Sequence, residues 1–250
     1  MQSPSSQFKV QAAQYSFPYH HIPKYSDNGQ ISCVRSLDWG IEYLVCQQMV
    51  RQFIDELAPK SLMEVGCGDG GMIGAVGPNV PRRVGVDLVE AAIRFAKAFH
   101  PDVEFHTTDA AQIAETFDAV LCVEVLEHIP DGQVSEFLQV LCDRVATGGK
   151  LLLCVPTTNI PLKSKHFRHY TLDILLNEVD RARVSLKPLW HKYFYETTQL
   201  LTIYNRLCNN RLWTIEIRGL QQVVWRHAWK RAKVAPPATA RHLFVLFDKI

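Results

Sequence analysis

The sequence has no run of apolar residues approaching the roughly 18 that a membrane-crossing helix needs. Its first ten residues, Met1 to Val10, are polar and hold no apolar core of the kind a secretory leader carries. No two cysteines stand in a C-x-x-C spacing, and the seven present are scattered and odd in number. That pattern argues against a disulfide frame or a cysteine-built zinc cluster and for reduced thiols. A cytoplasmic protein without a membrane span is therefore expected. Internal repeats and low-complexity tracts are absent as well. With 47% hydrophobic and 21% charged residues in 250, the composition excludes a disordered, collagen-like or coiled-coil chain. The length suits one large domain or two small ones.

A net charge of +2 conceals an asymmetry. Residues 1–162 hold 11 Lys/Arg against 19 Asp/Glu, whereas residues 163–250 hold 16 against 6. Solvated helix faces account for such a bias in the plainest way. A basic C-terminal wall that attracts an anionic acceptor is the sharper reading.

Residues 8–32 are rich in aromatics and prolines, among them Tyr15, Phe17, Pro18, Tyr19, His20, His21 and Pro23, with no helical or strand period. An ordered arm is expected, because disordered tails are poor in aromatics. From Cys33 to Leu57 apolar residues recur every three to four positions, which predicts one or two amphipathic helices. Short strands and helices then alternate. Strands are predicted at Leu62–Val65, Arg83–Leu88, Val103–Thr107, Ala119–Val123, Leu151–Val155, Val184–Leu189 and His242–Phe247. Helices are predicted at Glu90–His100, at Val134–Ala146 with Gly148-Gly149 as its stop, and at Thr171–Arg181 with Thr171 as N-cap.

Such alternation predicts an α/β fold: a doubly wound, Rossmann-like, mostly parallel seven-stranded sheet. An N-terminal helical arm and an insertion before the last strand complete it. The expected organisation is an arm with helices over 1–58, a cofactor-binding core over 59–190, an insertion or lid over 191–240, and the last core strand over 241–250. Trp225 and Trp229, flanked by Arg226, Lys230, Arg231 and Lys233 at helical spacing, fit a nucleic-acid face or a membrane-surface helix. The favoured reading is a lid whose basic side chains snorkel over buried tryptophans.

The chemistry begins at Glu64-Val65-Gly66-Cys67-Gly68-Asp69-Gly70-Gly71, between a strand and a helix. Glycines there allow a sharp turn and close approach of a ligand to the backbone. Gly66, Gly68 and Gly71 satisfy G-x-G-x-x-G, a weak signal alone. Asp87 ends the second strand, 21 residues after Gly66. An acid so placed can accept hydrogen bonds from both ribose hydroxyls of an adenosine cofactor.

This block, with Glu64 two residues before the first glycine, resembles motif I of the class I S-adenosylmethionine-dependent methyltransferases, of the small-molecule type. The resemblance extends over about residues 60–190. It runs through Gly85-Val86-Asp87-Leu88, Thr108-Asp109-Ala110, the stretch Phe117 to Ile129 with its Leu126-Glu127-His128, and Gly148-Gly149-Lys150. It implies that S-adenosylmethionine is the cofactor and that the segment Glu64, Gly66, Cys67, Gly68 and Gly70 meets its methionine and ribose. Asp87, beside Leu88, would hold the ribose hydroxyls, and Asp109 the adenine amino group with Ala110 adjacent. Cys122 and Val123 would supply backbone near the methionine.

Glu124, Glu127 and His128 follow the fourth strand, and His166 and His169 follow the fifth. In a doubly wound sheet both loops emerge beside the cofactor. His128, Glu127, His166 and, on the arm, His20 are the candidate catalytic residues. The small-RNA 3′-terminal ribose methyltransferases are similar here and use an E-x-x-E-H segment plus a later histidine to bind metal. Leu-Glu-His is also widespread in relatives without metal, so no metal is expected. The motif Asn/Asp-Pro-Pro-Tyr/Phe, which relatives acting on exocyclic or glutamine amines carry, is absent.

The expected function is methyl transfer to an O or N of a small polar acceptor, anionic ones included: a sugar, a nucleotide-linked sugar or a natural-product intermediate. Two alternatives stand beside it. One is a metal-dependent RNA ribose 2′-O-methyltransferase, so nucleic acid is a less favoured partner rather than an excluded one. The other is a non-catalytic binding module on the same scaffold.

Overall fold

Leu62-Met63-Glu64-Val65 and Phe117-Asp118-Ala119-Val120-Leu121-Cys122-Val123 are short apolar runs, and both lie in the middle of a sheet. The computed structural model describes residues 6–12, 24–25, 31–32, 40–208, 213, 215 and 217–250. A short helix α1 (Ser6–Ala12) and a small antiparallel pair, β1 (Lys24–Tyr25) with β2 (Ile31–Ser32), come first. Helix α2 (Gly40–Leu57) follows as one continuous element.

The main sheet holds β3 (Ser61–Val65), β4 (Arg82–Asp87), β5 (Glu104–Thr107), β6 (Phe117–Val123), β7 (Val145–Pro156), β8 (Leu186–Phe194) and β9 (His242–Lys249). Its order is β5-β4-β3-β6-β7-β9-β8. β9 alone runs antiparallel to its neighbours, pairing Leu152 with Leu246 on one side and Tyr193 with Leu243 on the other. The order in which strands are added reverses between β3, which is followed outward by β4, and the parallel β6, which is followed outward by β7 on the other side. A crevice at the carboxyl ends of β3 and β6 is the consequence.

The period-two alternation of each strand sorts its side chains onto two faces. Leu62, Ala119, Leu121, Leu152 and Cys154 join one apolar cluster with α2 and with α3 (Gly71–Val76). Met63, Val120, Cys122, Leu151 and Leu153 join the other, with α5 (Val134–Arg144) and α6 (Leu172–Ala182). Burial on both faces explains why β6 and β7 read as nearly continuous apolar runs. Helix α4 (Glu90–Phe99) covers the β4–β5 end. Thr171 caps α6 as expected, its Oγ1 accepting the N–H of Ile174 at 3.2 Å.

Two boundaries differ from expectation. Helix α5 ends at Arg144, and Val145 already pairs with Phe117. The register then jumps so that Ala119 faces Lys150, and Gly148, at φ +74°, sits in the irregularity rather than at a helix stop. The last but one strand continues to Phe194, past the 190 boundary, because Trp190, Tyr193 and Phe194 pair with β9. The insertion proper therefore leaves at Tyr195. It contains α7 (Gln199–Cys208), α8 (Arg218–His227) and one wide helical turn, Ala228–Ala232.

Candidate functional site

Glu64 ends up 3% exposed, and its Oε2 accepts the N–H of Ile73 in α3 at 3.0 Å. Burial pushes this carboxyl well above its usual range. Its role in this geometry is to pin the glycine loop to the helix that follows. Within the loop, Gly66, Gly68 and Gly70 adopt φ of +75°, +54° and +78°. At Gly66 a Cβ would also lie 2.4 Å from Cγ2 of Val125. The loops after β3 and β6 thus approach so closely that only glycine fits between them.

Asp87 receives two backbone donors, Gly68 N–H at 2.9 Å and Val89 N–H at 2.8 Å. These bonds fix the carboxylate at the tip of β4 and leave each oxygen further lone pairs for ribose hydroxyls. Burial nevertheless raises its pKa. Asp109 caps the turn Ala110–Gln112 through Oδ1, which accepts Ala111 N–H at 2.8 Å. Ala110 is buried below it, and Leu88 is exposed beside Asp87. Cys122 and Cys67 are buried, and their thiols are pushed up by burial. Val123 ends β6 at the crevice. All eleven residues expected at the cofactor lie in the loops and strand ends along one edge of the sheet.

In the loop after β6, Glu124 adopts φ +56°, an uncommon left-handed conformation for a non-glycine residue. Its N–H donates to Cys154 C=O at 2.9 Å. Next comes the turn Leu126–His128. Glu127 is fully buried, and neither carboxylate oxygen has a hydrogen-bond partner among the described residues. Burial and the neighbouring Glu124 push its pKa well up.

The tautomers of the nearby histidines follow from their partners. His128 Nδ1–H donates to Lys165 C=O at 2.9 Å, leaving the lone pair on Nε2, 3.8 Å from Glu127 Oε1. His169 Nδ1–H donates to Ile160 C=O at 3.1 Å, so its Nε2 accepts from His166 Nδ1–H at 2.7 Å. The His166 lone pair is then also on Nε2. Burial lowers the pKa of all three imidazoles, that of His166 to about 3, so they are neutral at pH 7. The rings of His128 and His166 meet edge to face at 4.7 Å.

Glu127, His128 and His166 thus converge, with one ligand atom from each within 4.8 Å of the others. Two imidazole nitrogens and a carboxylate are a donor set suited to a divalent cation. The outer hydrogen bonds to Lys165 and His169 orient the rings as metal-site outer partners do. His20, the fourth candidate, lies outside the described residues, as do Tyr19 and His21.

Sequence reasoning missed His242. It is buried, and both ring nitrogens bond acids: Nδ1 to Glu124 Oε1 at 2.9 Å, Nε2 to Glu42. Two carboxylate partners raise its pKa well above the usual range despite burial. A histidine opening a predicted strand gave no local signal of this.

A family model described as a methyltransferase domain matches residues 41–211. The ubiquinone biosynthesis O-methyltransferase of Paracidovorax citrulli is 33% identical over 91 residues, covering 32% of this chain and 38% of that protein. The chain therefore spans less than half the length of that curated relative in the match. Among solved structures, the N-methyltransferase NodS of Bradyrhizobium japonicum, in complex with S-adenosyl-L-homocysteine, has a TM-score of 0.63 at 14% identity, covering 98% of this chain and 99% of that one. Magnesium protoporphyrin IX methyltransferase of Synechocystis, with S-adenosylmethionine bound, has 0.58 at 14% identity, covering 98% and 99%. At these identities the structural likeness is one of fold.

Proposed function

Because the chain belongs to the methyltransferase-domain family, of the class I S-adenosylmethionine-dependent kind, we propose that it methylates a hydroxyl of a small polar acceptor. The observation that carries this reading is the pair of Nε2 lone pairs on His128 and His166. They stand on the loops after β6 and β7, beside the crevice between Gly66 and Glu124. A hydroxyl must lose its proton during attack, and a neutral, buried imidazole accepts it. S-adenosylmethionine, held at Gly66–Gly70 and Asp87, would supply the methyl group to the acceptor oxygen, and His128 Nε2 would take up the hydroxyl proton. Glu127 lies 3.8 Å away, and in its carboxylate form it would stabilise the imidazolium so formed. The curated relatives' names, which specify O-methylation, support oxygen over nitrogen.

Residues 1–58 and the insertion are assigned as covers of the site in this proposal. Helix α2 supports the assignment, since its first turn brings Glu42 to His242. The test is formation of S-adenosylhomocysteine with a panel of hydroxyl and amine acceptors. Turnover of amines alone would overturn the oxygen reading.

A second reading rests on the partnerless oxygens of buried Glu127. Glu127, His128 and His166 would hold a divalent cation, which would polarise the acceptor hydroxyl. Activity that survives EDTA supports the base. Activity that is lost and returns only with added divalent ion supports the cation.

A further inference from the structure

The insertion carries an outward face that methyl transfer does not use. Helix α7 turns Leu201 and Tyr204 into the core and leaves Ile203 and Leu207 exposed at 55% and 57%. Four positions apart, they share one side of the helix. Two more large apolar side chains are tied to the same end of α7. Trp213 Nε1–H donates to Leu207 C=O at 2.9 Å, and Ile215 N–H to Cys208 C=O at 2.7 Å. Both are about half exposed.

Helix α8 packs beside α7, its His227 Nε2 lying 2.9 Å from Thr198 Oγ1. It buries Val224 and Trp225 and presents Arg218, Val223 and Arg226 outward. Residues 199–234 hold seven Lys/Arg against one acid, Glu216. Among the described residues no carboxylate pairs with Arg218, Arg226, Lys230 or Arg231.

We propose that this face docks the protein on an anionic lipid bilayer. Exposed aliphatic and tryptophan side chains of α7 and the segment after it enter the headgroup–acyl boundary while basic residues of the adjacent α8 meet the lipid charge. Each half of the arrangement needs the other: basic residues alone suit any polyanion, but Ile203, Leu207 and Ile215 offer an RNA phosphate nothing. The helices are too short and polar to cross a membrane, so the contact is peripheral. The insertion leaves the sheet after Phe194 and returns at Arg241, both at the edge that holds Glu124 and His242. The inference does not depend on methyl transfer.

The test is co-sedimentation of the full chain with vesicles of phosphatidylglycerol and phosphatidylcholine against vesicles of phosphatidylcholine alone. Binding to the anionic vesicles only, weakened by salt, is expected. The double variant Ile203→Asp/Leu207→Asp should bind at least tenfold more weakly, with its circular dichroism and S-adenosylhomocysteine affinity unchanged. Arg226→Glu/Lys230→Glu should do the same by removing charge. Absence of binding to both vesicles overturns the proposal. So does binding that falls with the charge variant but not with the aspartates, particularly if an RNA oligonucleotide competes, because that result marks a polyanion surface instead.

Discussion

His242 Nδ1 stands 2.9 Å from Oε1 of Glu124, a residue 118 positions earlier in the chain. Nε2 of the same ring bonds Glu42, whose Oε1 also accepts from Arg241 Nε at 2.8 Å. With donors on both nitrogens, His242 is an imidazolium. Two cations and two carboxylates balance in a partly buried quartet that ties α2, the loop after β6 and the start of β9 together. The ring of Phe194 stacks on the imidazole at 5.1 Å.

Removing His242 would leave the carboxylates of Glu42 and Glu124 without the cation between them. Breaking one partner out of a fully buried ion pair costs about 3–5 kcal/mol, and less where solvent reaches a partner, as it does Glu124. His242→Ala is accordingly expected to lower stability in urea unfolding by less than that fully buried value. His242→Gln, which restores one donor, should recover part of the loss. Equal stability of the alanine variant and the parent would show that water or relaxation satisfies the acids.

A neutral His166 contributes to the acid side of the stability profile. Its folded pKa of about 3 lies below the usual 6.5, so the unfolded chain binds the proton first. The contribution of this ring is therefore intact above pH 6.5 and declines as pH falls from there toward 3, at a slope approaching about 1.4 kcal/mol per pH unit for one proton, against the raised carboxyls of Glu64, Asp87 and Glu127, which act in the opposite sense. Lowered values at His128 and His169 add in the same direction as His166. His166→Gln should flatten the decline between pH 6.5 and 4 in urea titrations at successive pH values. An unchanged slope would mean that the ring is already protonated or freely solvated.

Asp87 holds the cofactor's ribose in the proposed complex. Hydrogen bonds to a charged acceptor contribute about 1.5–3 kcal/mol each. Asp87→Ala should thus weaken S-adenosylhomocysteine at least tenfold in calorimetry. It also removes the acceptor for Gly68 and Val89 N–H, so loop order declines with it. NAD binding more tightly than S-adenosylhomocysteine would contradict the cofactor assignment.

The sheet was legible because β6 and β7 bury both faces and so read as unbroken apolar runs. The glycine loop was legible because left-handed backbone at Gly66, Gly68 and Gly70 demands a residue type that stands out. The end of β8 was not, since Trp190, Lys192 and Tyr193 alternate on a partly exposed edge strand and look like irregular aromatic chain. Nor was the quartet around His242. Glu42, Glu124 and His242 come from three distant segments, and no spacing in the sequence announces a charge pair made only by packing. Glu127, His128 and His166 were named from local motif and loop position. Their tautomers, however, depend on the carbonyls of Lys165 and Ile160, which no side-chain pattern encodes.

The Gly66–Val125 approach yields a prediction with an internal control. Gly66→Ala forces a Cβ against Val125 Cγ2 at 2.4 Å and places alanine at φ +75°. Both cofactor affinity and stability should fall. Val125→Ala in the same chain removes the clash but not the backbone strain, so it should restore part of each. No recovery at all would assign the whole effect to backbone conformation.

His128 separates binding from chemistry. Its Nδ1 is committed to Lys165 C=O, and only Nε2 can act. General-base catalysis contributes about 10²–10⁴-fold. Its hydrogen bonds go to Lys165 C=O and Val125 C=O, and to none of the residues proposed to hold S-adenosylmethionine. His128→Ala should then lower kcat by a factor in that range and leave S-adenosylhomocysteine affinity within about twofold of the parent, since the loss falls on the transition state. His128→Gln keeps a donor for Lys165 C=O but has no basic nitrogen, so it should be as slow as alanine while more stable. Wild-type kcat should fall with acid as Nε2 protonates. A glutamine variant with full turnover would show that His128 only orients the loop, and proton acceptance would pass to His166, the other free imidazole lone pair of the cluster.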